Sequence, residues 1–271
     1  MNFSTENTSK PINTLLKWLT PLLVFFLTTR TPSDTDMWWH MRAGQEMFTR
    51  GQILVTDVFS FTRAGFPWTN AFWLSDLGIY GLYKLGGFFA LALVTSGLLA
   101  YTMFLVMKQT KSPVQLAALV IIIASIGLSP FAGVRPQLLS FVFLALLNLE
   151  LSNYKNTHRL RIWFYPILFI IWANVHGGFI WGFLLLGAFI IGEILNILTG
   201  AENSLAWKEI GRLGLWSFFA GTATAINPNG FGLWKLPFYT VQVSLTSINE
   251  WASPDFHRLD IQPMLWMIFL L

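Results

Sequence analysis

Long apolar runs separated by short polar connections dominate the chain. They fall at about 15–29, 87–107, 114–130, 137–153, 162–176, 178–198, 213–226 and from 263 onward. A bilayer core of about 30 Å needs about 20 apolar residues per helix, and fewer where a helix ends inside a protein cavity. The pattern predicts an all-α, polytopic transmembrane protein of about eight spans. The last run opens at Pro263 and is still apolar at Leu271, so that span is expected to continue past the sequence in hand. With no internal repeat and no low-complexity linker, residues 1–271 read as a single transmembrane domain with long outer loops at about 30–86 and 227–262.

Between the first and second runs the pattern becomes amphipathic. Asp36 to Arg50 carries Trp38, Trp39, Met41 and Met47 as interfacial groups, with Gly51 as a stop signal. Thr69 to Lys84 mixes Phe72, Trp73, Leu77, Tyr80 and Leu82 with Asp76 and Lys84. Trp and Tyr prefer the headgroup level, so two helices are expected to lie along the outer surface. No small-x-small cleavage site follows the first apolar run, which therefore reads as an uncleaved signal anchor.

Composition sharpens this picture. Of the 271 residues 54% are hydrophobic and 11% charged, against roughly a quarter charged in soluble domains, which excludes a water-soluble core. The net charge of +4 is spread thinly and forms no basic stripe, so nucleic acid is not an expected partner; the lipid bilayer is. Lys108, Lys111, Lys155, Arg159, Arg161, Lys208 and Arg212 occupy the even-numbered connections. Because short basic loops stay cytoplasmic, the N-terminus is expected inside and the odd loops outside, as in a multi-pass protein of a bacterial inner membrane. Without cysteine, any metal must be held by Asp, Glu or His.

The unusual polar residues gather in the outer loops. Asp34-Thr35-Asp36 opens the first, followed by Trp38, Trp39 and His40. Paired carboxylates can converge on a divalent cation such as Mg or Mn, or one can serve as general base; equally, Asp34 can cap the surface helix while Asp36 favours its dipole. Arg135 stands in a tight turn between Gly133 and Pro136 and can snorkel to headgroups or clamp an anion bidentately. Asn174-Val175-His176-Gly177-Gly178 breaks a long apolar run at a depth where irregular backbone must be buried or line a wet cavity. Glu250, Asp255 and His257 add two acids and an imidazole in a later outer loop, in a spacing that matches no metal motif. Together these residues predict a recessed outer cavity with acids, a cation and imidazoles, suited to a phosphate-bearing lipid donor.

At these residues the chain resembles the membrane glycosyltransferases of the GT-C fold, which include protein mannosyltransferases, aminoarabinose transferases and oligosaccharyltransferase catalytic subunits. The resemblance rests on the short first helix, the Asp34 and Asp36 pair, the two surface helices and the many spans after them. The stretch from Asp34 to Ser75, with Trp38-Trp39-His40, Asp57 to Thr62, Pro67-Trp68 and Trp73-Leu74-Ser75, is also similar to bacterial membrane proteins grouped with that family. The acids are not followed by the signatures usual in its better-known members. The resemblance implies transfer of a sugar from a polyprenyl-phosphate-linked donor at the extracytoplasmic face. It casts Asp34 or Asp36 as catalytic base; the outer-loop polar residues His40, Arg135, Asn174, His176, Glu250, Asp255 and His257 are the substrate-binding candidates. A lipid or solute transporter, a flippase, and a non-catalytic assembly subunit of the same fold are the rival readings.

Overall fold

In the computed structural model, residues 6–129, 132–239, 255, 257–259 and 261–269 are described, and among them the regular structure is helical, with one isolated antiparallel bridge, Thr56 to Pro67. Among the described residues three helices are long and apolar enough to cross a membrane: α1 (Glu6–Thr28, through its segment Pro11–Thr28), α3 (Trp73–Gln109) and α7 (Phe179–Leu198). Two shorter apolar helices, α4 (Val114–Leu128) and α6 (Phe164–Val175), occupy the third and fifth expected runs. The remaining elements are α2 (Thr35–Arg50), α5 (Gln137–Thr157), α8 (Trp207–Ala223), a 3-10 segment (Gly230–Lys235) and a C-terminal helix (Gln262–Phe269). Exposed Phe26, Phe89, Trp181, Leu184, Leu195 and Phe218 on these helices suit a lipid environment rather than water.

Polar residues inside the apolar helices are locally satisfied. In α1 the Thr20 and Thr28 hydroxyls donate to the carbonyls of Leu16 and Val24, so neither presents an unpaired group. The main core joins α5 to α8 through Tyr154, Tyr165, Phe169, Trp172, Phe179, Leu186 and Leu213. A smaller cluster packs Val24 of α1 against Met103, Met107, Ala118 and Ile121.

The surface helices differ in one respect from expectation. α2 appears where the pattern put it and ends at Gly51, whose φ of 66° is the left-handed conformation that stops a helix cheaply. The second starts at Trp73 rather than Thr69 and runs straight into the next span. Only a kink divides the two arms of α3, at Gly86 (φ −157°, ψ 22°) and Gly87 (φ 59°, ψ −150°). The intervening loop is ordered by backbone pairing of Trp68 with Val55 and of Asp57 with Phe66, each at 2.8 Å. Asp57 accepts from the Ser60 hydroxyl and from the amides of Ser60 and Phe59, and these hydrogen bonds, Ser60's side chain first, hold its carboxyl below the usual range.

The connections on the opposite side hold two buried acids. Glu193 of α7 takes Lys155 Nζ at 2.5 Å and the Leu205 amide at 2.9 Å, which ties the α7–α8 loop to α5. Glu150 pairs with Arg161 at 3.5 Å. Both carboxylates pair with cations of the basic stretch Lys155 to Arg161.

Candidate functional site

The site is assembled at the N-terminus of α2. Asp34, in extended conformation, accepts the Asp36 amide on Oδ1 at 2.8 Å and thereby caps the helix. Its Oδ2 accepts Arg135 Nε at 2.5 Å, while Arg135 Nη1 lies 3.4 Å from Asp36 Oδ2. Asp34 thus caps α2 with one oxygen and pairs with Arg135 through the other. The side chains of Asp34 and Arg135 are 10% and 17% exposed, so this ion pair is largely desolvated, whereas Asp36 is 45% exposed.

The turn that carries Arg135 fits this pairing sterically. A Cβ added at Gly133 would collide with Asp34 Oδ2 and come within 2.9 Å of its Cγ, so only glycine lets the turn approach the acid this closely. The Arg135 amide donates to the Gly133 carbonyl at 3.0 Å, and Pro136 leads into α5, which fixes the stem of the guanidinium.

Arg135 also borders a cavity of about 210 Å³ enclosed by the two arms of α3, the start of α5 and Val175. Its wall is mostly aliphatic, with Ile79, Leu82, Leu91, Val94, Leu98 and Leu138. A cation at the edge of an apolar chamber is the arrangement that an amphiphile with an anionic head would complement.

Further along α2, His40 Nδ1 donates to Asp76 Oδ1 at 2.6 Å, and both side chains are buried, at 4% and 0% exposed. Asp76 Oδ2 has no hydrogen-bond partner among the described residues. The two elements meet closely because Gly44, one turn beyond His40, packs directly on the Asp76 carbonyl. Phe72 stands between two imidazoles, with ring centroids 5.3 Å from His40 and 5.6 Å from His176.

His176 has a defined proton arrangement. The Gly178 amide, which can only donate, reaches Nδ1 at 3.0 Å, so Nδ1 is an acceptor and the neutral ring carries its proton on Nε2. Ser140 Oγ donates to the same nitrogen at 2.7 Å and in turn accepts Trp172 Nε1 at 2.7 Å. His176 is thus a neutral hydrogen-bond donor, not a cation. Asn174 is held by the protein at both ends of its amide: Trp73 Nε1 donates to its Oδ1 at 2.8 Å, and its Nδ2 donates to the Ile226 carbonyl at 2.8 Å. α6 has 12 residues and rises only about 18 Å, so it ends well short of crossing a bilayer core of about 30 Å.

Of the residues expected in the cavity, Asp34, Asp36 and Arg135 form one ionic cluster, and His40 and His176 share Phe72. Asp255 and His257 bond to each other at 3.1 Å and are 60% and 99% exposed. Glu250 lies outside the described residues. Among the described residues no three His, Asp or Glu side chains come together as metal ligands. Asp34 and Asp36 are turned to Arg135, an arrangement that does not favour a shared divalent ion. Asp76, Ser140 and Trp73 were not marked as site residues by the sequence, because each sits in an amphipathic or apolar helix where a lone polar residue signals nothing by itself. No protein-family model matches the chain, and no curated protein or solved structure matches it.

Proposed function

We propose that this chain is a membrane glycosyltransferase of GT-C-like architecture with about eight spans, moving a sugar from a polyprenyl-phosphate-linked donor to an acceptor at the extracytoplasmic face. The observation that carries the reading is Arg135 at the junction of an acidic pair and an aliphatic chamber. The donor's first isoprenyl units would occupy the chamber and its phosphate would meet the guanidinium, whose planar fork suits an anion. Asp34, with both oxygens engaged, holds Arg135 in place. Asp36 is the acid with exposed surface and takes the role of general base toward the acceptor hydroxyl. His176, next in the chain to Val175 of the chamber wall, would offer a neutral N–H to the donor.

Photo-crosslinking tests this reading. A polyprenyl phosphate bearing a diazirine near its head group should label residues of the chamber wall, such as Leu82 and Leu98, in protein reconstituted into nanodiscs. Arg135→Ala should remove that labelling, and Arg135→Lys should weaken it. Labelling spread over lipid-facing positions and indifferent to Arg135 would refute the donor assignment and favour a non-catalytic role.

A further inference from the structure

The buried pair His40–Asp76 is the most costly polar arrangement on this side of the molecule. A carboxylate with no exposed surface and one oxygen without a hydrogen-bond partner among the described residues is destabilising, and such a retained cost marks a candidate for function. Holding α2 against α3 does not require it, because Met37, Ala43 and Met47 already pack that face. What the pair does achieve is orientation. With its Nδ1 proton on Asp76 Oδ1, the neutral His40 ring presents Nε2 as a lone-pair acceptor. Nε2 has no protein partner among the described residues, and it is not one of the fully enclosed unpartnered atoms. It therefore opens onto the small exposed part of His40. The ionisable groups facing this ring are Asp76 from α3 and His176 from the α6–α7 turn, whose Nδ1 accepts the Gly178 amide; Trp39 lies over the ring and Phe72 meets it edge to face. Asp36 is four residues earlier on α2, hence on the same side of the helix one turn away.

Resting on the transferase reading, we propose that His40, positioned by Asp76, is the group that takes the acceptor's proton from Asp36 and returns it to solvent. In the transfer the acceptor O–H bond breaks and its proton goes to the Asp36 carboxylate. The acceptor oxygen bonds to the anomeric carbon, and the bond from that carbon to the lipid phosphate breaks with its electron pair going to the phosphate oxygen beside Arg135. Asp36 is then neutral and must be deprotonated before the next turnover. His40 Nε2 accepts that proton, and the imidazolium is stabilised by the buried Asp76 carboxylate until it passes the proton to water.

The test has an arm that needs no donor. Diethyl pyrocarbonate, with the modified histidines located by mass spectrometry, should carbethoxylate His40 Nε2 in the folded, reconstituted protein despite its 4% side-chain exposure. Asp76→Asn should slow that reaction about tenfold, because the ring loses its anionic partner. The second arm measures turnover with the polyprenyl-phosphate donor. His40→Ala should lower kcat by at least about tenfold with donor KM unchanged, and added imidazole should restore part of it; His40→Gln, which better preserves packing, should lose turnover without responding to imidazole. If His40 stays unmodified after the fully exposed His257 has reacted, Nε2 is sealed and the pair is structural, whatever the chain catalyses. If His40 reacts but turnover in His40→Ala is unchanged, the proton-relay role is overturned while the transferase reading stands. Absence of any turnover in the wild-type protein would instead sink the transferase reading on which the relay depends.

Discussion

Gly133→Ala is the most informative single substitution, because its effect depends on one carboxylate. The backbone at Gly133 is not in the left-handed region, so alanine is conformationally permitted and in isolation should stabilise by about 0.4–1 kcal/mol through the unfolded chain. In the folded protein, however, the new Cβ collides with Asp34 Oδ2 and lies 2.9 Å from its Cγ. Relief requires Asp34 to leave Arg135. An exposed ion pair is worth about 0–1 kcal/mol and breaking a buried one costs about 3–5, so this largely desolvated pair should lose about 2 kcal/mol, equivalent to a Tm lower by about 5 °C. The control is the double mutant. In Asp34→Ala the obstructing carboxyl is gone, leaving only the Cβ at 3.1 Å, and adding Gly133→Ala there should be neutral or mildly stabilising. Thermal unfolding of the four proteins in one detergent closes the cycle and should give a coupling of about 2 kcal/mol. Additive effects, or equal destabilisation by Gly133→Ala in both backgrounds, would refute the claim that this glycine exists to admit Asp34.

Other consequences are as specific. His176 should show an unprotonated Nδ1 and a protonated Nε2 by nitrogen-15 NMR at neutral pH, and protonation of both nitrogens there would refute the acceptor role of Nδ1. Gly178→Ala places a Cβ 2.5 Å from His176 Nδ1 and 2.6 Å from Ser140 Oγ, so it should expel the imidazole and destabilise by about 1–3 kcal/mol in a thermal melt. Cysteines introduced singly as Thr62→Cys and Asn156→Cys, both exposed, should report opposite sides to an impermeant thiol reagent, and labelling of position 156 alone from outside would reverse the topology.

Helix positions were legible because apolar runs and surface stripes are local properties of the chain. α2 illustrates this: the interval of three to four residues between Met37, His40, Gly44 and Met47 is visible in sequence, and these residues form its buried face. What the pattern missed was the joint after Leu85. The expected surface helix over 69–84 and the expected span from 87 read as separate elements. Gly86 and Gly87 permit a kink without a loop, and a pair of glycines by itself does not say whether the chain turns, ends or bends. The start of α3 moved to Trp73 because Asn70 accepts the Phe72 amide at 3.1 Å, a local turn that competes with helix.

The site was legible as a list of residue types and illegible as a set of pairs. Asp34 and Arg135 are 101 positions apart, and nothing local says that one carboxylate oxygen caps while the other pairs. His40 and Asp76 are 36 apart, and the residue that allows them to meet, Gly44, looks like an ordinary helix-weakening glycine until its neighbour across the interface is known. In each case a glycine marks where two backbones approach, and the charged partner is found opposite it. Gly133 faces Asp34, Gly44 faces Asp76, and Gly178 faces His176 and Ser140. Close backbone approach is what desolvates these polar groups, and desolvation is what strengthens an ion pair and holds an imidazole in one tautomer. The glycines of this face therefore shape its electrostatics through distance alone, and an alanine at any of them should alter protonation or pairing before it alters the helices.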